Sequence, residues 1–154
     1  MKKAASLIFS LCLATTACIR HHNRLVGGPP EEVVREFVML SANSKGLSDK
    51  QALQELCAGS MKNAFEKMTD EVFRISYLNA GLKVRDLKIL ETETRGDNAR
   101  VHYKVVVENP HGTDPTQETN EREVDLLHEQ GQWLIETVRG QGSDQIVFTR
   151  GMIF

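Results

Sequence analysis

Five histidines, a scatter of carboxylates, three aromatic rings with a polar atom and three thiols are the groups with which this chain could do chemistry. Their spacing argues against most of it. His21 and His22 are neighbours on a stretch with no helical or strand period, so they fix no coordination geometry and read as polar linker rather than metal ligands. His102 alternates with Arg100 and Lys104 onto the polar side of a strand, His128 precedes Glu129 at a strand end, and His111 falls in a loop. With Asp114 and Asp125 these would make a metal or acid-base cluster only if the fold gathered them, because no His-x-His, His-x-x-x-His or Cys-rich ligand pattern occurs. A Gly-rich phosphate loop and a Gly-x-Ser-x-Gly elbow are absent too. No catalytic residue, metal or cofactor is expected from motifs. Tyr77, Tyr103 and Trp133 are the side chains to examine for a small apolar ligand, since rings with one polar atom line such cavities; packing in the core is their competing role.

The thiols say more. Lys2 and Lys3 precede an apolar run from Ala4 to Ala14, then Thr15, Thr16 and Ala17 stand directly before Cys18, the three-part layout of a secretory signal peptide over residues 1–17. The run falls short of the roughly 20 residues a spanning helix requires. A small-residue cleavage site followed at once by Cys resembles the lipobox of bacterial lipoproteins, although Thr15 stands where that motif usually has Leu. The resemblance implies a diacylglycerol on Cys18, with cleavage making Cys18 the first residue; Ile19 after it, rather than Asp, implies an outer-membrane lipoprotein facing the periplasm. Each buried methylene contributes about 0.8 kcal/mol, so two or more chains anchor stably. An ordinary signal peptidase cutting after Ala17 is the alternative, and it would give a soluble periplasmic or secreted protein. Cys12 leaves with the signal, which makes Cys57 a lone thiol read as a small buried hydrophobe; without lipid on Cys18, a disulfide between the two competes.

Losing two lysines with the signal takes the formal charge from −2 to −4, so nucleic acid is not an expected partner. Residues 18–28 end in Gly27 and Gly28 and read as a tether, with Arg20 and Arg24 placed to meet anionic lipid. A single domain is expected over residues 29–154. Pro29 and Pro30 followed by Glu31 and Glu32 open a helix of about 13 residues whose apolar side includes Val33, Val34, Phe37 and Val38. Ser48 with Gln51 reads as a capping box for a second helix carrying Leu53, Leu56 and Cys57. Met61, Ala64, Phe65 and Met68 give a third; Thr69 caps a fourth with Val72, Phe73, Ile75 and Leu78 on its inner side. After Gly81 the period becomes two. Strands are expected over residues 84–94 and 99–107 about a turn at Gly96, then a polar loop over 109–120, then a hairpin of 121–128 and 132–139 about Gln130 and Gly131. Helices followed by an antiparallel sheet define an α+β domain with the helices on one sheet face.

This order, with the Glu-Glu-Val-Val-Arg-Glu-Phe opening at residues 31–37, the Gly-Asp-Asn-Ala-Arg-Val turn and strand at 96–101 and the Gly-Gln-Trp hairpin at 131–133, resembles small bacterial lipoproteins of the nuclear transport factor 2-like, or cystatin-like, superfamily. The resemblance implies a sheet curled around the long helix into a cone-like roll. It implies little about function, since that superfamily holds binding modules beside isomerases and dehydratases. The expected function is a lipid-anchored envelope domain that binds a protein or a small ligand without catalysis. A small acid-base enzyme of isomerase or dehydratase type is the alternative, with Asp125, His128 and Tyr103 as nominal proton-transfer groups in a cone pocket. The apolar end, Ile146, Val147, Phe148, Met152, Ile153 and Phe154, is expected either to add a strand to its own sheet or to engage an envelope partner.

Overall fold

The sequence alternates between two demands, a stripe of apolar residues every three or four positions and then every second one, and a computed structural model shows how they meet. It describes residues 28–79, 81, 83–109 and 116–140. Cys18, the tether and the apolar end lie outside the described residues.

Helix α1 (Pro30–Ala42) starts with proline at its first position and two glutamates in its first turn, both favoured there by geometry and by the helix dipole. Val33, Val34, Phe37 and Val38 face inward, and the helix stops where the Asn43 side chain donates to the Met39 carbonyl at 2.8 Å. Helix α2 (Leu47–Glu55) is capped differently from expectation. The carboxylate of Asp49 accepts from the backbone N–H groups of Lys45 (2.6 Å) and Gly46 (3.2 Å), whereas Ser48 already lies inside the helix, so the cap sits two residues earlier than the Ser-x-x-Gln pattern places it. Helix α3 (Gly59–Lys67) buries Met61 and Phe65.

Thr69 caps α4 (Asp70–Phe73) as expected, its hydroxyl accepting from Val72 N–H at 3.2 Å. Beyond Phe73 the chain departs from the α-helix expected there. Residues Arg74–Leu78 form a π-helical turn, closed by Asn79 N–H to Arg74 C=O at 3.0 Å. Phe73 and Tyr77, four residues apart on one face, are buried and stacked at 4.7 Å, while Val72 and Ile75, expected on the inner side, are exposed.

The strands form one antiparallel meander, β1 (Lys83–Arg95), β2 (Asn98–Asn109), β3 (Thr116–Glu129) and β4 (Gln132–Gly140). Gly96 takes φ 61° in the first tight turn, and Gln130 and Gly131 take φ 52° and 79° in the third connection, the two consecutive positive values of a type I′ hairpin. The polar loop expected over 109–120 is shorter than that: Thr116 to Asn120 pair with Asn109 to Val105. Their polar side chains hid a strand because this part of β3 extends past the end of β4, where exposed residues carry no apolar alternation. Unpaired residues Arg85 and Leu90 in β1, and Glu136 in β4, are bulges, which bend and twist the strands that carry them.

The helices cover one face of this sheet. Ala99, Val101, Tyr103, Val105 and Val107 of β2, all predicted inward, are buried there with Val124, Leu126, Ile135 and Val138. Phe37, Phe65, Phe73 and Tyr77 fill the space above them, their rings in contact edge-on, tilted or stacked. Such a side chain contributes about 1.5–3 kcal/mol relative to leaving it in water. Residues 56–58 tie the helical layer to the sheet edge through Ala58 N–H to Ile135 C=O (2.8 Å) and Ile135 N–H to Leu56 C=O (2.9 Å).

Candidate functional site on the outward sheet face

The residues proposed from sequence are divided between the two sides of the sheet. Tyr103 is fully buried on the inner face, and burial pushes its phenol well above its usual range, partly offset by the charge of Arg122. Tyr77 is packed between Phe65 and Phe73. Trp133 is half-buried at the far end of the sheet, its ring 4.8 Å from that of His128, whose Nδ1 stands 3.7 Å from Asp97 Oδ1. Asp125 lies on the opposite face from Tyr103, because Tyr103 pairs with Arg122 and side chains alternate along β3. Asp125, His128 and Tyr103 therefore form no common proton-transfer site. Cys57 is buried, its thiol donating to Leu53 C=O at 3.2 Å. Among the described residues, no three His, Cys, Asp or Glu side chains gather to hold a metal.

The polar groups that do assemble are on the outward face. Strand β2 presents Arg100, His102 and Lys104 there, and the register sets them directly against Asp125, Glu123 and Glu121 of β3. A basic column thus runs beside an acidic column. Asp125 is its most connected member: Arg100 Nε donates to it at 2.9 Å, Thr137 Oγ1 at 3.0 Å, and Arg139 Nη2 reaches its second oxygen as well. The bond to Asp125 keeps the Arg100 guanidinium charged, with its pKa raised. Glu121 lies 3.5 Å from His102 Nε2 and 4.0 Å from Lys104 Nζ. Two nitrogens remain without a hydrogen bond although buried, His102 Nε2 and Arg139 Nε. Farther along the same face Arg85, at the β1 bulge, grips Glu108 through two hydrogen bonds of 2.8 and 2.6 Å, which hold the carboxyl below its ordinary value against the opposing effect of burial.

A half-open trough of about 350 Å³ crosses one end of the face, lined by Glu93 and Arg95 of β1, Asn98 and Arg100 of β2, Asp125 of β3 and Glu136 of β4. None of Tyr77, Tyr103 and Trp133 lines it. Sequence patterns alone did not disclose the pairing of the columns. The signal was present, in acids at 121, 123 and 125 and bases at 100, 102 and 104, both at strand spacing.

No protein-family model matches this chain, and no curated protein does. Its likeness is to solved structures. A SEC-C motif containing protein from Rhodopseudomonas palustris superimposes with a TM-score of 0.52 at 12% identity, over 72% of this chain and 77% of that one. An Ntf2-like potential transfer protein, TraM of the Gram-positive conjugative plasmid pIP501, gives 0.47 at 10% identity over 71% and 91%. An Ntf2-like protein with a cystatin-like fold from Novosphingobium aromaticivorans gives 0.44 at 14% identity over 75% and 84%. At such identities the similarity concerns the fold, the α+β arrangement of helices on one face of a curled antiparallel sheet.

Proposed function

We propose that this chain is a lipid-anchored protein of the cell envelope, attached through Cys18 to the periplasmic side of the outer membrane, whose domain acts by non-catalytic binding through its outward sheet face. One observation carries the binding role. The inner face is filled by aliphatic and aromatic side chains, whereas the outward face holds an ordered array of charges that no described element covers. Enzymatic sites need titratable groups converging on a dry pocket. A polar sheet face that no described element covers suits recognition of another macromolecule. The anchor is supported by the Lys-Lys, apolar and small-residue sequence before Cys18.

Two measurements test this. Metabolic labelling with palmitate should mark the wild-type chain and leave Cys18→Ser unlabelled and released from membranes; an unlabelled wild type removes the anchor. A photo-crosslinker replacing Lys104, on the outward face, should capture protein in intact cells, while one replacing Lys62, exposed on α3, should capture far less. Equal or no capture at the two positions removes the assignment of binding to the sheet face.

A further inference from the structure

The trough at one end of the outward face carries a charge that its own lining does not balance. Asp125 is bound to Arg100 and also accepts from Thr137 and Arg139, and Arg95 stands 3.2 Å from Glu93 on the exposed rim. Three acids thus face two bases around the trough, and Glu136 is left over, since no cation among the described residues pairs with it. Resting on the reading of this face as a binding surface, we propose that its partner is a protein that seats a lysine or arginine side chain in the trough, with the Glu136 carboxylate as counter-ion. Whatever covers this end of the face removes water from Glu136. A partner without a cation there would leave a carboxylate unpaired and desolvated, a cost that selects against it.

Glu136 is placed before any partner arrives. It is the extra residue of the β4 bulge, a device that re-aims side chains. Its carbonyl accepts from Ser60 Oγ at 3.0 Å, which ties the bulge to the start of α3. Against its side chain lies the bare backbone of Gly59, where a Cβ would stand 3.2 Å from Glu136 Cγ and 3.4 Å from Oε1. A side chain held in this way loses less freedom on binding. The size and shape of the trough favour a side chain over a free small molecule. At about 350 Å³ it lies at the lower end of ligand-site volumes, and it is half-open, whereas a free ligand of drug size has roughly 70–90% of its surface buried. A lysine or arginine delivered by a protein brings its own cover, because the rest of that protein lies across the face. Arginine is also frequent among the residues that dominate binding energy.

The test uses the full chain in intact cells with the photo-crosslinker at Lys104, a position that leaves the trough lining unaltered. Glu136→Gln should lower the yield of the captured protein by about 10-fold or more, and Glu136→Lys should abolish it. A second crosslinker in place of Asn98, which lines the trough, should map to a segment of that protein containing a lysine or arginine. Changing that residue to Glu should prevent capture by the wild-type chain and restore it with Glu136→Lys. Circular dichroism of the purified variants identifies one that has not folded, and if Glu136→Lys is such a variant the isosteric Glu136→Gln and the shorter Glu136→Asp carry the comparison, with capture ranked wild type, Asp, Gln. Capture that Glu136→Gln leaves unchanged, or a mapped segment without a basic residue, overturns the proposal while the binding role of the face stands. Capture no greater than from Lys62 removes that role and the proposal with it. Ethanolamine and spermidine, titrated separately into the purified chain in detergent, test the other source of an ammonium group. Saturable amide NMR shifts at the trough below millimolar concentration, lost in Glu136→Gln, would assign it to a small amine and overturn the protein side chain.

Discussion

The two faces of one sheet are built on different physics, although they share every strand. On the inner face Val101, Tyr103, Val105, Val124 and Val138 need only be apolar and of fitting size, because hydrophobic burial is non-directional. On the outer face identity is not enough. Arg100 stabilises because register brings Asp125 opposite it, and a slip of one residue would turn the acids inward. A core tolerates exchange among similar residues and resists loss of volume; a charge array tolerates loss at its edges and resists loss of its hub.

The largest effect that separates the faces is expected from Phe37→Ala. It empties space beneath the sheet and should cost about 3–5 kcal/mol, read as a lowered denaturant midpoint. Lys104→Ala, on the other side of the same sheet, should stay within about 0.5 kcal/mol. Asp125 is the point at which the outward face should behave like a core. Asp125→Ala leaves Arg100, Thr137 and Arg139 without their shared acceptor and is expected to cost about 1–3 kcal/mol by chemical denaturation, several times the effect of Lys104→Ala. If the two variants are equally mild, the array has no hub and the contrast between the faces fails.

A smaller test reverses the sign. Ser41 is buried in α1 and its hydroxyl has no hydrogen-bond partner, so Ser41→Ala should leave stability unchanged or raise it by up to about 1 kcal/mol in thermal melts. The smallest effect concerns acid. Arg85 holds the Glu108 carboxyl below its unfolded value, so this pair contributes fully above the unfolded pKa of about 4.3, and its contribution is lost as pH falls through the folded value. Glu108→Gln should therefore flatten part of the acid-side loss of stability and leave the neutral-to-alkaline profile in shape, as followed by denaturation midpoints across pH.

Much of the inner layer was legible. Period-two alternation marked the five inward residues of β2 correctly, proline and glutamates marked the start of α1, and Thr69 marked the cap of α4. Three features were not. The segment after Thr69 buries Phe73 and Tyr77 and exposes Val72 and Ile75, because it carries apolar residues at helical spacing on two faces and its own sequence does not say which one the core covers. Thr116 to Asn120 are strand because β2 offers them a hydrogen-bonding edge, which their own polar residues do not announce. Asp49 displaced the expected capping pair because its carboxylate reaches two free N–H groups at once.

The candidate site divides along the same line. Residue types and their order determined that this chain makes helices and then strands, that one side of each strand is apolar, and that Cys18 follows a signal-like segment. Those properties are local, set by a residue and its near neighbours. Tertiary structure alone decided that Asp125 and Tyr103 sit on opposite faces and that three acids stand against three bases. Both facts depend on strand register, which is fixed only when turns, bulges and core close together around residues distant in the chain.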